Sequence, residues 1–205
     1  MNTHMEKVSY IIGRQIGGDF ATQGIDVNVD TFLKGFNSAV QGEEAVLTNE
    51  ETQEIMNAFQ VEMTAKAQQM AAEQGGKNLE IGNKYLELNK QKEGVMTTAS
   101  GLQYRVEKSG EGAKPTAEST VEVHYEGTLI DGTIFDSSFQ RGQTTSFPVG
   151  GVIPGWTEAL QLMSEGDVWH LTIPSDLAYG AQGAGGQIGP NSVLNFKVEL
   201  VKVVS

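Results

Sequence analysis

No proline occurs in the first 114 residues, and all five prolines of the chain lie at or beyond Pro115. Proline fixes φ and lacks a backbone N–H, so it interrupts helices. The proline-free half can therefore form long helices, and its apolar residues recur at helical spacing. Val8, Ile12, Ile16 and Phe20 are four apart. Phe32, Leu33, Phe36, Ala39 and Val40 mark a second helix, with Asp30 as its expected cap. Thr48 and Glu51 then sit at capping-box spacing ahead of Ile55 and Phe59. The pattern continues through Met63, Ala67, Met70, Ile81, Tyr85 and Leu88, which predicts one long helix over residues 49–91. Gly75, Gly76 and Gly82 oppose it at about 1 kcal/mol each relative to alanine, so a kink or break near residue 75 is the alternative. One long and two short helices make a poor core alone. Their apolar stripes must pack on one another, on the second half or on a partner chain.

The second half reads as strands. Leu102, Tyr104 and Val106 alternate, as do Val121, Val123 and Tyr125. Trp169, Leu171 and Ile173 repeat the pattern, and so do Leu194, Phe196, Val198 and Leu200. Between them, PGWTEALQLM places Pro154 at a helix start and Trp156, Leu160 and Met163 on one face. The expected fold is α+β: a helical N-terminal part, a long connecting helix, and an antiparallel β-sheet wrapped on one short helix.

The net charge is -12, and it is shared. Residues 1–99 carry 14 acids and 8 bases, and residues 100–205 carry 12 acids and 6 bases. Neither half offers a basic patch for phosphates, which argues against nucleic-acid binding. With no cysteine, disulfides and thiolate chemistry are excluded. No stretch approaches the roughly 20 apolar residues that span a bilayer, so no membrane partner is expected. The first residues lack the apolar core and cleavage site of a signal peptide. A cytoplasmic location is the expectation, with the periplasm as the alternative if a leader has been removed.

Familiar catalytic machinery is missing. There is no nucleophile elbow and no P-loop, and the glycines of GAQGAGGQIG (180–189) do not fit a dinucleotide fingerprint. His4 is terminal, and His124 and His170 lie in strands without a companion at ligand spacing. Structural histidines are the default, and neither metal nor cofactor is expected. What remains is an aromatic and aliphatic set: Tyr125, Phe135, Asp136, Phe147, Val152, Ile153, Trp156, Tyr179, Ile188 and Phe196. Such residues usually form the core of a small domain. Asp136, directly after Phe135, is an expensive core residue unless hydrogen-bonded, and the tyrosine hydroxyls want partners. An apolar cavity with few polar groups is the default small-ligand site. Amide rotation is chemistry that such a cavity can perform. The planar Xaa-Pro amide is more charge-separated than its twisted transition state. An apolar pocket therefore penalises the planar state more, with no nucleophile, metal or titrating base.

Three blocks carry a resemblance: VEVHYEGTLIDGTIFD (121–136), GGVIPGWTEALQLM (150–163) and LTIPSDLAYG (171–180). In this order and spacing they resemble the FKBP-type peptidyl-prolyl cis-trans isomerases, over roughly residues 100–205. The resemblance implies that Trp156 is a pocket floor, with Tyr125, Phe135, Val152, Ile153 and Phe196 as walls. It implies that Asp136 and Tyr179 are polar contacts, and that Arg141 pairs with Asp136; Phe147 is expected among the substrate-binding residues. Ile188 would lie in a flap-like loop, and the Ile153 N–H would donate to a substrate carbonyl. Thr145 stands where better-known members carry an aromatic residue. Ala184, Gln187 and Gly189 depart from their His, Ile and Pro, which bears on substrate preference and on affinity for rapamycin-class macrolides.

The helical half and the join EGVMTTASGLQYRV (93–106) resemble the macrophage infectivity potentiator-like branch. That implies a dimerisation domain over 1–46, a linker helix over 47–93 and a catalytic domain over 94–205. The expected partners are a second copy of the chain and unfolded or partly folded proline-containing proteins. The expected activity is acceleration of proline-limited folding, with chaperone-like binding by the dimer. A holdase chaperone and a non-catalytic proline-binding adaptor are the rival readings.

Overall fold

The computed structural model describes residues 1–204. The chain forms two compact units, Met1–Val61 and Glu62 onward. The division falls inside a helix, Asn49–Asn89.

The first unit is helical. Helix α1 (His4–Gln23) opens on a capping box between Thr3 and Glu6 and ends on Gly24 in the left-handed region. Helix α2 (Val29–Gln41) is capped by Asn28, whose side chain accepts from the Thr31 N–H at 2.9 Å. This corrects the expected cap at Asp30. Asn28 has the extended backbone a cap needs, and Asp30 lies in the first turn, where its charge still suits the helix dipole. Helix α3 (Asn49–Asn89) starts from the Thr48–Glu51 box, with Thr48 N–H to Glu51 Oε2 at 2.9 Å. Phe20 and Phe32 meet edge-on at 5.9 Å. No residue of α1 or α2 is buried.

Helix α3 continues unbroken through Gly75, Gly76 and Gly82 into the second unit. Close approach explains two of these glycines. A Cβ on Gly82 would stand 2.8 Å from Val193 Cγ2, and one on Gly75 would stand 3.0 Å from Asn191 Nδ2. Gly76 faces open space. The helix ends at Asn89, two residues before expectation, where the backbone tightens into turns with Gln91 N–H on Leu88 O and Lys92 N–H on Asn89 O; the buried Asn89 amide donates to Gln103 Oε1 at 2.9 Å.

The second unit holds a seven-stranded antiparallel sheet. Its strands are β1 (Val95–Thr97), β2 (Gln103–Lys108), β3 (Thr120–Leu129), β4 (Ile134–Ser137), β5 (Thr145–Pro148), β6 (Val168–Ile173) and β7 (Leu194–Val203). The order is β1-β2-β6-β7-β3-β4, with β5 also on β3. Helix α4 (Ser138–Arg141) follows β4, and α5 (Pro154–Leu162) lies between β5 and β6. The alternation in β3 and β7 buries Val121, Val123, Tyr125, Leu194, Phe196, Val198 and Leu200. Their shared cluster includes Trp156, Ala159 and Leu160 of α5. Gly155 permits that packing, since a Cβ there would lie 2.5 Å from Ile173 Cγ2. Thr172, on the opposite face of β6, is buried and hydrogen-bonds Asn89 of α3 and Asn195.

One edge of β3 serves two strands. Residues 120–123 pair with β5, and residues 126–128 pair with β4. Tyr125 sits in the gap between them.

Candidate functional site

Above that gap opens a cavity of about 430 Å³. It is lined by Tyr125, Phe135, Asp136, Phe147, Gly151, Val152, Ile153, Trp156, Tyr179 and Phe196. These residues come from β3, β4, β5, β7, the first turn of α5 and the loops beside α5 and β6. Residues spread over the second half of the chain are thus brought to one well.

Trp156 is the centre of the aromatic packing. Its ring stands edge-on to Phe196 at 5.3 Å, Tyr125 at 5.4 Å and Phe147 at 5.7 Å. Phe135 meets Phe196 edge-on at 5.5 Å. Such perpendicular pairs suit ring quadrupoles and hold each side chain in one orientation. Pro154 presets the first turn of α5, and the Trp156 N–H closes it on Ile153 O at 2.9 Å. Thr157 Oγ1 ties the helix back to Val149 O at 2.7 Å.

The polar rim is a three-residue network. Tyr125 OH donates to Asp136 Oδ2 at 2.5 Å, Arg141 Nη1 donates to Asp136 Oδ1, and Arg141 Nη2 donates to Tyr125 OH at 3.0 Å. Partial burial pushes the Asp136 carboxyl up, but the Tyr125 and Arg141 hydrogen bonds and the Arg141 charge outweigh it. The carboxyl therefore stays below the usual range. Burial, then the hydrogen bond to Asp136, pushes the Tyr125 phenol up. Asp136 is not the buried core acid expected from its neighbours. Its side chain is 42% exposed, because β4 presents it at the mouth of the well, where water and Arg141 solvate it.

Arg141 touches the well only through Asp136 and Tyr125. Ile188 does not line it either; that side chain is buried in the core cluster. Thr145 pairs opposite Val123 in β5, and neither it nor loop 184–191 contributes a lining residue. The Ile153 N–H has no hydrogen-bond acceptor among the described residues, while its carbonyl caps α5. His124 Nδ1 meets Ser138 Oγ at 3.1 Å, and His170 Nε2 meets Glu107 at 2.5 Å, so both have partners outside the well.

Sequence reasoning missed three supporting residues. Gly127 lets Phe135 and Phe196 close over β3; a Cβ there would lie 2.5 Å from the Phe135 ring. A lone glycine inside an alternating strand is the signal for such a close approach. Gly151 joins the lining, and a Cβ on it would lie 2.7 Å from Pro148 Cγ. Ser138, fully buried, accepts from the Tyr125 N–H at 2.7 Å and donates to the Tyr125 carbonyl at 3.2 Å. It replaces strand pairing at the gap, and nothing in the local sequence marks it.

An antiparallel sheet wrapped on a short helix, with a rigid aromatic well and a single carboxylate at its rim, defines a small-ligand or peptide-binding domain without nucleophilic machinery. Comparison with known proteins identifies the class. Residues 111–201 match the family model for FKBP-type peptidyl-prolyl cis-trans isomerase. Residues 5–106 match the model for the domain amino-terminal to it. The outer membrane protein MIP of Legionella longbeachae is 44% identical over 203 residues, spanning 99% of this chain and 87% of that one. The probable FKBP-type peptidyl-prolyl cis-trans isomerase FkpA of Neisseria meningitidis serogroup B is 45% identical, spanning 97% and 74%. The crystal structure of FkpA from Escherichia coli matches with a TM-score of 0.76 and 36% identity, over 99% of this chain and 98% of that one. The chain belongs to the FKBP-type peptidyl-prolyl cis-trans isomerases, in the branch of the Mip and FkpA proteins, and is an isomerase of Xaa-Pro peptide bonds.

Proposed function

We propose that the well around Trp156 is where Xaa-Pro bonds rotate. The observation that carries this reading is the convergence of Trp156, its edge-on rings and the Tyr125–Asp136–Arg141 rim on one cavity. The proline ring packs on Trp156 between Phe135, Phe147 and Phe196. The unpartnered Ile153 N–H receives a substrate carbonyl, and Asp136 and Tyr179 contact the chain at the mouth. Removing the planar amide from water costs its charge-separated form more than the twisted form, which lowers the rotation barrier of about 18–20 kcal/mol. Arg141 orients Asp136 and, with Tyr125, holds its carboxyl below the usual range. A rapamycin-class macrolide would compete for the same well.

The test is kcat/KM on Xaa-Pro tetrapeptides. Asp136→Leu and Trp156→Ala are each expected to lower it at least about tenfold, equivalent to ~1.4 kcal/mol, with the fold retained by circular dichroism. Wild-type activity in both folded variants would sink the assignment.

The helical unit is read as a dimerisation module that serves protein clients. Ile12, Phe36 and Val40 are each at least half exposed, and α1 and α2 bury nothing. Apolar stripes of this kind call for a second copy. The domain partition proposed is dimerisation over 1–46, linker helix over 47–93 and catalysis over 94–205. Two wells on one dimer raise the effective concentration of active sites near a loosely held client, giving chaperone-like assistance to proline-limited folding. The printed name of the Legionella longbeachae relative sets that protein at the outer membrane. That favours the periplasmic alternative over the cytoplasm for this chain, and cell fractionation tests it. No helix among the described residues is long and apolar enough to cross a membrane.

A further inference from the structure

Helix α3 reaches the loop that frames one side of the well. This loop leaves the sheet after Ile173 and returns at Leu194. Tyr179, on its outgoing leg, lines the well. The adjoining Gly180 carbonyl accepts the Asn191 N–H at 2.8 Å, which closes the loop at its base. The returning leg, Pro190–Ser192, lies against α3. Asn78 Nδ2 donates to Pro190 O at 2.7 Å and to Ser192 Oγ at 3.4 Å. Gln74 Nε2 donates to Asn78 Oδ1 at 2.8 Å, which turns the Asn78 amide nitrogen toward the loop. Asn191 Nδ2 donates to Gly75 O at 3.3 Å.

Two features show that this contact imposes a conformation. Asn191 has φ 55, the single positive value at a non-glycine among the described residues. Asparagine enters that region more readily than other non-glycine residues, and here its N–H bond to Gly180 O and its side-chain bond to Gly75 O hold it there. Gly75 brings the helix backbone as near as the chain permits, since a Cβ would stand 3.2 Å from Pro190 Cβ. The tip of the loop, by contrast, has Gly183, Gly185 and Gly186 at positive φ. Glycines in that arrangement give little rigidity of their own. The tip is held by the reciprocal Ala184–Ile188 backbone bonds and by buried Ile188, and the base, part of which rests on α3, holds the two legs together.

We propose that α3 is a positioning element for the isomerase well, with Asn78 as its positioning residue. Asn78 does not line the well. It fixes Pro190 and Asn191, which fix Gly180 and thereby Tyr179. The helix is thus part of the catalytic apparatus as well as a connector. The inference rests on the well being the site of rotation.

The test is a double-mutant cycle on the full chain, read as kcat and KM on Xaa-Pro tetrapeptides, with hydrogen exchange of the loop amides. Asn78→Ala replaces an asparagine inside a helix with the best helix former, so helix loss is not at issue. It is expected to lower kcat/KM about fivefold, the worth of one net hydrogen bond, mainly through a higher KM. Exchange at Ala184, Ile188 and Asn191 should quicken while β3 and β7 stay protected. In a Tyr179→Ala background the Asn78→Ala loss should largely vanish, since both act through one contact. Fully additive losses, or an Asn78→Ala variant with unchanged kinetics and loop exchange, would overturn the proposal. If Tyr179→Ala alone costs nothing while Asn78→Ala still quickens loop exchange, the role of the well fails and the clamp on the loop stands.

Discussion

The Tyr125 hydroxyl donates to Asp136 Oδ2 at 2.5 Å, and Arg141 bridges both partners. The pair joins the centre of β3 to the end of β4 across the gap that Ser138 fills. Its arrangement holds the carboxylate at the mouth of an apolar well without letting it sink in.

That geometry sets the pH behaviour. The Asp136 carboxyl is held below its ordinary range, so it is ionised at neutral pH. A carboxyl depressed in the folded state contributes stability that is present above its unfolded value of about 3.9. The contribution is lost as pH falls through the folded value. No histidine lines the well. The rate of isomerisation should therefore be flat from about pH 6 to 8, with losses only in acid. A bell-shaped profile centred near neutrality would contradict rotation by desolvation. Asp136→Asn should shrink the acid-dependent part of the unfolding curve, and Tyr125→Phe should cost activity by about two- to fivefold, one hydrogen bond's worth.

Gly127 offers a sharper probe of the walls. An alanine Cβ would be driven into Phe135 and Phe196 at 2.5 and 2.8 Å. Neither ring can retreat without losing its edge-on partner. Gly127→Ala is expected to destabilise the protein by about 1–3 kcal/mol, the usual cost of overpacking, and to lower kcat/KM more than Tyr125→Phe does. Thermal unfolding and the tetrapeptide assay measure the two effects on one sample. Unchanged activity in a destabilised variant would separate the packing of these rings from catalysis.

The glycines of α3 should split in sign. Gly76 meets nothing within 4 Å, so Gly76→Ala gains helix propensity and should stabilise by up to about 1 kcal/mol. Gly82→Ala gains the same propensity but places its Cβ 2.8 Å from the stiff Val193 side chain. The net result should be destabilising. If both substitutions stabilise equally, α3 does not pack against Val193 in solution.

These contrasts also show what could be read from residues alone. The long helix was legible because its apolar spacing and the Thr48–Glu51 box are local signals. Its glycines argued against it, since their partners, Asn191 and Val193, lie over a hundred residues away. The well was legible at Tyr125, Phe135, Trp156 and Phe196 because alternation fixes which face of a strand each side chain occupies. The short strands β1, β4 and β5 were not, because three or four residues carry no measurable alternation. Ile188 and Asp136 exchanged their expected surroundings for the same reason. Burial in a loop or at a strand end depends on tertiary neighbours, and the local pattern does not encode them.

The tightest consequence concerns where the catalytic domain begins. A boundary at residue 94 would sever the hydrogen bonds of Asn78 with Pro190, Asn89 with Gln103, and Tyr85 with Asn195. It would also remove the Leu86 carbonyl that Gln103 binds at 3.0 Å. A fragment of residues 95–205 should therefore unfold at lower temperature than the full chain and lose several-fold activity even on tetrapeptides. A fragment of residues 62–205 keeps every one of these contacts and should match the full chain on tetrapeptides. Both lack α1 and α2, so both should sediment as monomers, and both should lose the advantage on a proline-limited folding protein that a dimer supplies. Equal peptide activity in the two fragments would show that α3 only tethers the isomerase. A full chain that sediments as a monomer would remove dimerisation from the account of protein clients.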